Sequence, residues 1–155
     1  MSNPTHTFKS ILSHDYTNSP GSLGFIRILK EDGTEAYVRY DVFVAGLFKV
    51  DTLAMMKLHA ALGVAGEAGE LGDAIKKEVI YNKGLDWDNL IEELGDLRFY
   101  IQAVQNIYQI SEQQILQANA NKLSKRYKDN VYSDSAAIAR ADKAGSSSSE
   151  GQEQK

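Results

Sequence analysis

The sequence predicts an all-α protein, a helical bundle with a small N-terminal β-hairpin. Three observations carry that reading. Apolar residues recur with helical period over two long stretches, from about residue 51 to 81 and from about 86 to 108. A Ser-x-x-Gln signature at Ser111–Gln114 opens a further helix. The β-prone runs are confined to two short segments flanking Asp32-Gly33. At 155 residues the chain suits one ordinary domain, and 43% hydrophobic with 25% charged residues is a globular balance.

Residues 1–23 are rich in Ser, Thr, Asn, Pro and Gly and read as irregular, with one helical turn near Phe8 to Leu12. Phe25–Leu29 and Ala36–Tyr40 are the two strands of the hairpin. Tyr40, Phe43, Val44, Leu47 and Phe48 then fall at i, i+3, i+4, i+7 and i+8, which predicts a short amphipathic helix. The first long helix follows Asp51 as N-cap, with Leu53, Met56, Ala60, Val64, Leu71, Ile75 and Val79 inward. Gly63, Gly66, Gly69 and Gly72 interrupt it at every third position. Each interior glycine costs about 1 kcal/mol relative to alanine, so a helix here implies close approach of a neighbouring backbone; the alternative is a loop. Asn82-Lys83-Gly84 reads as a glycine stop.

Asp86 or Asp88 starts the second long helix, with Leu90, Ile91, Leu94, Leu97, Ile101 and Val104 inward, and the last helix runs from the capping box through Tyr127. From Ser133 the apolar pattern is lost, and the Ser-rich stretch after Gly145 reads as a disordered tail. The chain therefore divides into an N-terminal extension (1–50), a helical core (51–132) and a tail (133–155).

Several function classes drop out. There is no cysteine, which excludes disulfide scaffolds, zinc knuckles and thiol nucleophiles. The net charge of −4 and pI near 5.4 disfavour a duplex nucleic acid partner. No apolar run approaches the ~20 residues of a membrane span, and the N-terminus lacks the apolar region of a signal peptide, so the expectation is a soluble, cytoplasmic chain. No Walker-type Gly-x-x-x-x-Gly-Lys sequence and no Glu-x-x-His occurs. His14-Asp15 lacks the further histidines that a metal site of that kind needs, and His59 reads as a core residue.

The charge distribution says more than its sum. Between Val64 and Arg98 lie nine acids against four bases; from Gln117 to Lys143 six bases stand against three acids. Glu67 and Glu70 are one turn apart on the first long helix, and Glu93 and Asp96 repeat the spacing on the second. Two antiparallel helices can bring the pairs face to face. At ~6 Å and an effective dielectric of ~20, each uncompensated pair costs roughly 3 kcal/mol. Such a cluster calls for protons or hard divalent cations, Mg²⁺ or Mn²⁺. A solvated acidic face is the plain alternative for either pair alone.

Gly66-Glu-Ala-Gly-Glu-Leu71, Lys76-Lys77, Glu92-Glu-Leu-Gly-Asp-Leu97, Asn119-Ala-Asn-Lys-Leu123 and Arg126-Tyr127 together resemble the MazG-type all-α nucleoside triphosphate pyrophosphohydrolases. The resemblance covers roughly residues 52–142. The family signature is E-E-x-x-E followed by E-x-x-D, and Gly66 stands where its first glutamate would be. A compact chain with an added N-terminal hairpin is also similar to phage-encoded members.

The resemblance implies that Glu67, Glu70, Glu93 and Asp96 hold Mg²⁺, with Mn²⁺ as a substitute, and that Glu67 or Glu70 acts on the attacking water. It assigns phosphate or sugar binding to Asn119 and Lys122, joined by Lys77 and Arg126. The expected reaction converts a (d)NTP to (d)NMP and pyrophosphate in nucleotide-pool control, within a homodimer or homotetramer, in the host cytoplasm if phage-encoded. Trp87 and Tyr81 are either core or rim residues or platforms for a base. The competing function is a catalytically silent nucleotide- or metal-binding module that regulates a partner, a reading to which Gly66 lends support.

Overall fold

The computed structural model describes residues 24–143. The helical turn expected near Phe8, the His14-Asp15 pair and the Ser-rich tail lie outside the described residues. Two compact units divide the chain, one ending at Gln109 and one beginning at Ile110. Among the described residues, five α-helices and one two-stranded sheet make the protein all-α with a small hairpin.

In the first unit, β1 (Phe25–Leu29) and β2 (Glu35–Arg39) pair antiparallel, with Phe25 opposite Arg39 and Leu29 opposite Glu35. The connecting turn uses the chemistry of its residues. Gly33 takes the left-handed conformation at φ +79°, and the Asp32 carboxylate accepts from the Thr34 amide at 2.9 Å and its hydroxyl at 2.6 Å. The second strand ends one residue earlier than the β-prone run suggests, because Tyr40 already begins α1 (Tyr40–Leu47). Val44 and Phe48 of the predicted stripe are buried, whereas Leu47 points outward.

The helix α2 (Leu53–Val79) runs unbroken through all four glycines. Its N-cap is Thr52, whose hydroxyl accepts from the Met55 amide at 3.4 Å; Asp51, the expected cap, instead accepts the Thr52 amide at 2.6 Å. The helix stop is an asparagine stop: Asn82 adopts the left-handed conformation at φ +54°, while Gly84 does not. The Lys83 amide then closes onto the Lys77 carbonyl at 3.2 Å. After this turn Asp86 caps α3 (Trp87–Tyr108), accepting from the Asn89 amide at 3.1 Å.

The contacts of α3 with α2 run in reverse order of sequence, so the two helices are antiparallel. Lys57 reaches Tyr108, Gly63 meets Tyr100, and Glu67 meets Asp96. The core gathers Val44, Phe48, Met56, Ala60 and Ala103, with Phe99, Tyr100 and Val104 packed against it. An additional link ties α1 to α3, where the Asn106 amide donates to the Asp41 carbonyl at 2.9 Å. Leu53, Ile75, Val79, Ile91 and Leu94 were expected inward and are exposed. Each long helix carries more apolar surface than one neighbouring helix within the unit can cover.

The second unit opens with α4 (Glu112–Arg126), whose capping box is complete. The Ser111 hydroxyl accepts from the Gln114 amide at 3.2 Å, and the Gln114 side chain accepts from the Ser111 amide at 2.8 Å. Beyond residue 132 the chain is not wholly irregular. Ser133 caps a six-residue helix, α5 (Asp134–Ala139), and a 3₁₀ turn covers Ala141–Lys143.

Candidate metal centre

Where α2 and α3 cross, Glu67, Glu93 and Asp96 each direct one carboxylate oxygen into a common space, all three within 4.8 Å of one another. Glu67 and Glu93 are half-buried and Asp96 is exposed. The crossing is tight because of Gly63, one turn before Glu67. A Cβ on Gly63 would lie 2.1 Å from the Tyr100 ring, and Tyr100 is itself one turn after Asp96. The glycine thus lets α3 approach at the level from which the carboxylates converge.

The electrostatics of the trio follow from that convergence. Partial burial raises the pKa of Glu67, and the charges of Asp96, Glu70 and Glu93 raise it further. Glu93 is steadied by Asn89, whose side-chain amide donates to it at 3.3 Å. Three oxygen donors from three carboxylates, with no sulfur or imidazole among them, match the preference of a hard divalent cation. The residues present therefore fit such an ion.

The other candidate residues take different positions. Glu70 is exposed and lies outside the trio, although Glu67 feels its charge. Lys77 is exposed and bound to Asp73 at 2.9 Å, and Lys76 binds the same carboxylate. Those two lysines hold Asp73 down to about 2. The Asp73 carboxylate in turn raises the pKa of Lys77, with Glu93 and Asp86 adding to it at longer range. In the second unit, Asn119 and Lys122 lie exposed, one turn apart on α4. Arg126 is held by Asp142 through two parallel bonds, Nε at 2.6 Å and Nη2 at 2.8 Å.

Three neighbours of the candidate residues are not revealed by the acidic motif alone. Asn89 stands one turn before Glu93, Asp73 one turn before Lys76 and Lys77, and Tyr100 one turn after Asp96. Helical i, i+3 and i, i+4 spacing is the signal that connects Asn89 with Glu93 and Asp73 with the two lysines, whereas Tyr100 reaches Gly63 across the helix pair. His59, expected in the core, is exposed. Its ring stacks on Phe48 at 4.8 Å and meets the edge of Tyr100 at 5.7 Å. Trp87 (66% exposed) and Tyr81 (57%) lie exposed where the chain passes from α2 to α3, outside the core.

Comparison with known proteins agrees with the arrangement of acids. Residues 57–131 match the family described as the MazG nucleotide pyrophosphohydrolase domain. The chain is also similar to the Gene 37 protein of Mycobacterium phage L5, 32% identical over 72 residues that make up 44% of this chain and 63% of that protein. The chain thus spans less than two thirds of that relative's length. No solved structure matches. No helix among the described residues is long and apolar enough to cross a membrane. Both acidic elements lie inside the matched segment, so residues 57–131 carry the MazG nucleotide pyrophosphohydrolase domain.

Proposed function

We propose that the protein is a Mg²⁺-dependent hydrolase that converts a (d)NTP to (d)NMP and pyrophosphate, with Mn²⁺ as a substitute ion. The observation that carries this reading is the carboxylate trio of Glu67, Glu93 and Asp96, formed by two helices within a MazG domain. In this proposal the catalytic core is 51–132 and residues 1–50 are an appended element.

Glu67, Glu93 and Asp96 would hold the cation, with Glu70 extending the acidic lining one turn along α2. A bound divalent cation neutralises charge on the polyphosphate oxygens. Glu67 has the raised proton affinity that suits a carboxylate taking a proton from an attacking water, and Glu70 is the other candidate for that role. Lys77, Asn119, Lys122 and Arg126 are proposed to meet phosphate or sugar. Lys77 and Arg126 would first have to exchange or share the carboxylates that now engage them.

Homodimer or homotetramer formation is part of the proposal, supported by the apolar residues left exposed along α2 and α3. Similarity to a phage protein supports a phage-encoded chain acting in the host cytoplasm. The test is a panel of ribo- and deoxynucleoside triphosphates incubated with Mg²⁺, with products separated by ion-exchange chromatography. Monophosphate and pyrophosphate in equal amounts are expected. Orthophosphate release would overturn the reaction assignment, and failure to turn over any nucleotide with either ion would leave a binding module.

A further inference from the structure

The first unit holds a groove of about 300 Å³ lined by Lys49, Asp51, Met55, Met56, Leu58, His59 and Leu62. We infer that this groove receives the base of the nucleotide whose polyphosphate lies at the carboxylate trio, an inference that rests on the function proposed above. The argument begins with the register of α2. His59, Gly63 and Glu67 stand at i, i+4 and i+8, on successive turns along one side of the helix. Their span is about 12 Å along the axis, a length comparable to that of an extended nucleoside triphosphate.

Tyr100 makes the two regions continuous. Its ring covers Gly63, meets His59 edge-on, and stands one turn from Asp96. His59 and Tyr100 thus link the groove to the level of the trio, and all of these residues belong to one compact unit.

The lining matches the chemistry of a heterocycle. His59 supplies a flat ring held in place by stacking on Phe48. Methionine and leucine supply adaptable apolar walls. Lys49 and Asp51 at the rim supply one donor-rich and one acceptor group for the edge of a base. The charge gradient along α2 gives the same orientation. Lys76 and Lys77 lie beyond the trio on the side away from the groove, so the phosphates extend that way and the base extends towards His59.

The test uses calorimetric titration in Mg²⁺ with two probes, an α,β-methylene deoxynucleoside triphosphate and inorganic tripolyphosphate, which has no base. His59→Ala is expected to weaken the nucleotide about tenfold while leaving tripolyphosphate within about twofold, the scale of a lost stacking contact. His59→Phe, which keeps a flat ring, is expected to restore most of the nucleotide affinity. In the unaltered protein, the His59 ring proton resonances should shift on adding the nucleotide and stay in place with tripolyphosphate. Equal weakening of both probes, or unchanged nucleotide binding in His59→Ala, would overturn the inference while the polyphosphate site stands. A chain that binds neither probe would overturn both.

Discussion

Gly63 of α2 lies under the ring of Tyr100 on α3, so close that a methyl group placed on it would sit 2.1 Å from Cδ1. The next turn of α2 carries Glu67 and the preceding turn of α3 carries Asp96, so this contact sets the separation of the two acidic helices. Gly66, Gly69 and Gly72 have no such neighbour among the described residues: a Cβ on any of them meets nothing within 4 Å. One glycine of the series is thus explained by packing inside the unit, and three are not.

Gly63→Ala should destabilise the protein by about 1–3 kcal/mol, as expected when a close-packed contact is overfilled. The helix-propensity gain of about 1 kcal/mol for removing a glycine acts in the opposite direction and reduces the net loss. Chemical unfolding of Gly63→Ala, Tyr100→Leu and the double variant would check the assignment. The double variant should recover part of the loss, because the smaller leucine removes the ring that the methyl strikes. Strict additivity of the two single effects would contradict the contact.

The raised pKa of Glu67 makes a prediction about metal-free stability. A carboxyl that binds its proton more tightly in the folded state than in the unfolded state destabilises the fold once it ionises. Below its ordinary value of 4.5 the group is protonated in both states and costs nothing. The penalty develops as pH rises through 4.5 and is complete above the raised folded value. Glu67→Gln should therefore melt higher than the parent at neutral pH in chelator, with the gain fading below pH 4.5. Melting curves at several pH values check this, and a gain of equal size at every pH would point to packing.

The helices as far as Arg126, and the caps at Asp86 and Ser111, were legible because each is written locally, whereas the cap expected at Asp51 is Thr52. The Ser111–Gln114 box and the apolar period of α1 each need only a few neighbouring residues. The convergence of Glu67 with Glu93 and Asp96 was legible in outline, since the two spacings and a short connection imply an antiparallel pair. Its membership was harder to read. Whether Glu70 joins depends on the rotation of α2 against α3, which Gly63 and Tyr100 set across 36 residues of intervening chain. The exposure of Ile91 and Leu94 was hidden for a related reason: periodicity marks a face as apolar without saying which element covers it. Asn82 displaced Gly84 as the helix stop because asparagine also tolerates the left-handed conformation.

The Arg126–Asp142 pair fastens the end of the described chain to α4. Asp142 is almost wholly shielded, its side chain 1% exposed, and the guanidinium holds its carboxyl down to about 2. A depressed carboxylate contributes stability above its unfolded value of 3.8, and loses it as pH falls from there through about 2. Asp142→Asn should lower the melting temperature at neutral pH and have little effect near pH 2. Arg126→Lys should recover only part of what Arg126→Ala loses, since an ammonium group cannot make the two parallel bonds. If Arg126 also serves phosphate, Asp142→Asn should tighten nucleotide binding, because it releases the guanidinium from a competing anion. Calorimetric titration of the variant separates the clasp from the binding role.

The sharpest distinction lies between Glu93 and Glu70. Both belong to the acidic motif, yet Glu93 contributes an oxygen to the trio and Glu70 does not. Without metal, Glu93→Gln removes one of three converging charges and should melt at the same temperature as the parent or higher. With Mg²⁺ and a non-hydrolysable nucleotide the order should reverse. A ligand present at a hundred times its dissociation constant stabilises the parent by about 2.7 kcal/mol, and the variant has lost a donor atom. Turnover of Glu93→Gln should fall at least about a hundredfold, the usual scale for losing a contact that stabilises developing charge. Glu70→Gln should keep most of the ligand-induced stabilisation, because its carboxylate is exposed and outside the convergence. Asn89→Ala should lie between the two, since it leaves every carboxylate in place but removes the 3.3 Å bond that orients Glu93. Thermal melts of the three variants with and without ligand, read beside their turnover, give the ranking. If Glu70→Gln lost ligand-induced stabilisation as completely as Glu93→Gln, a cation would have to be held by four carboxylates, and the trio would be an incomplete description of the centre.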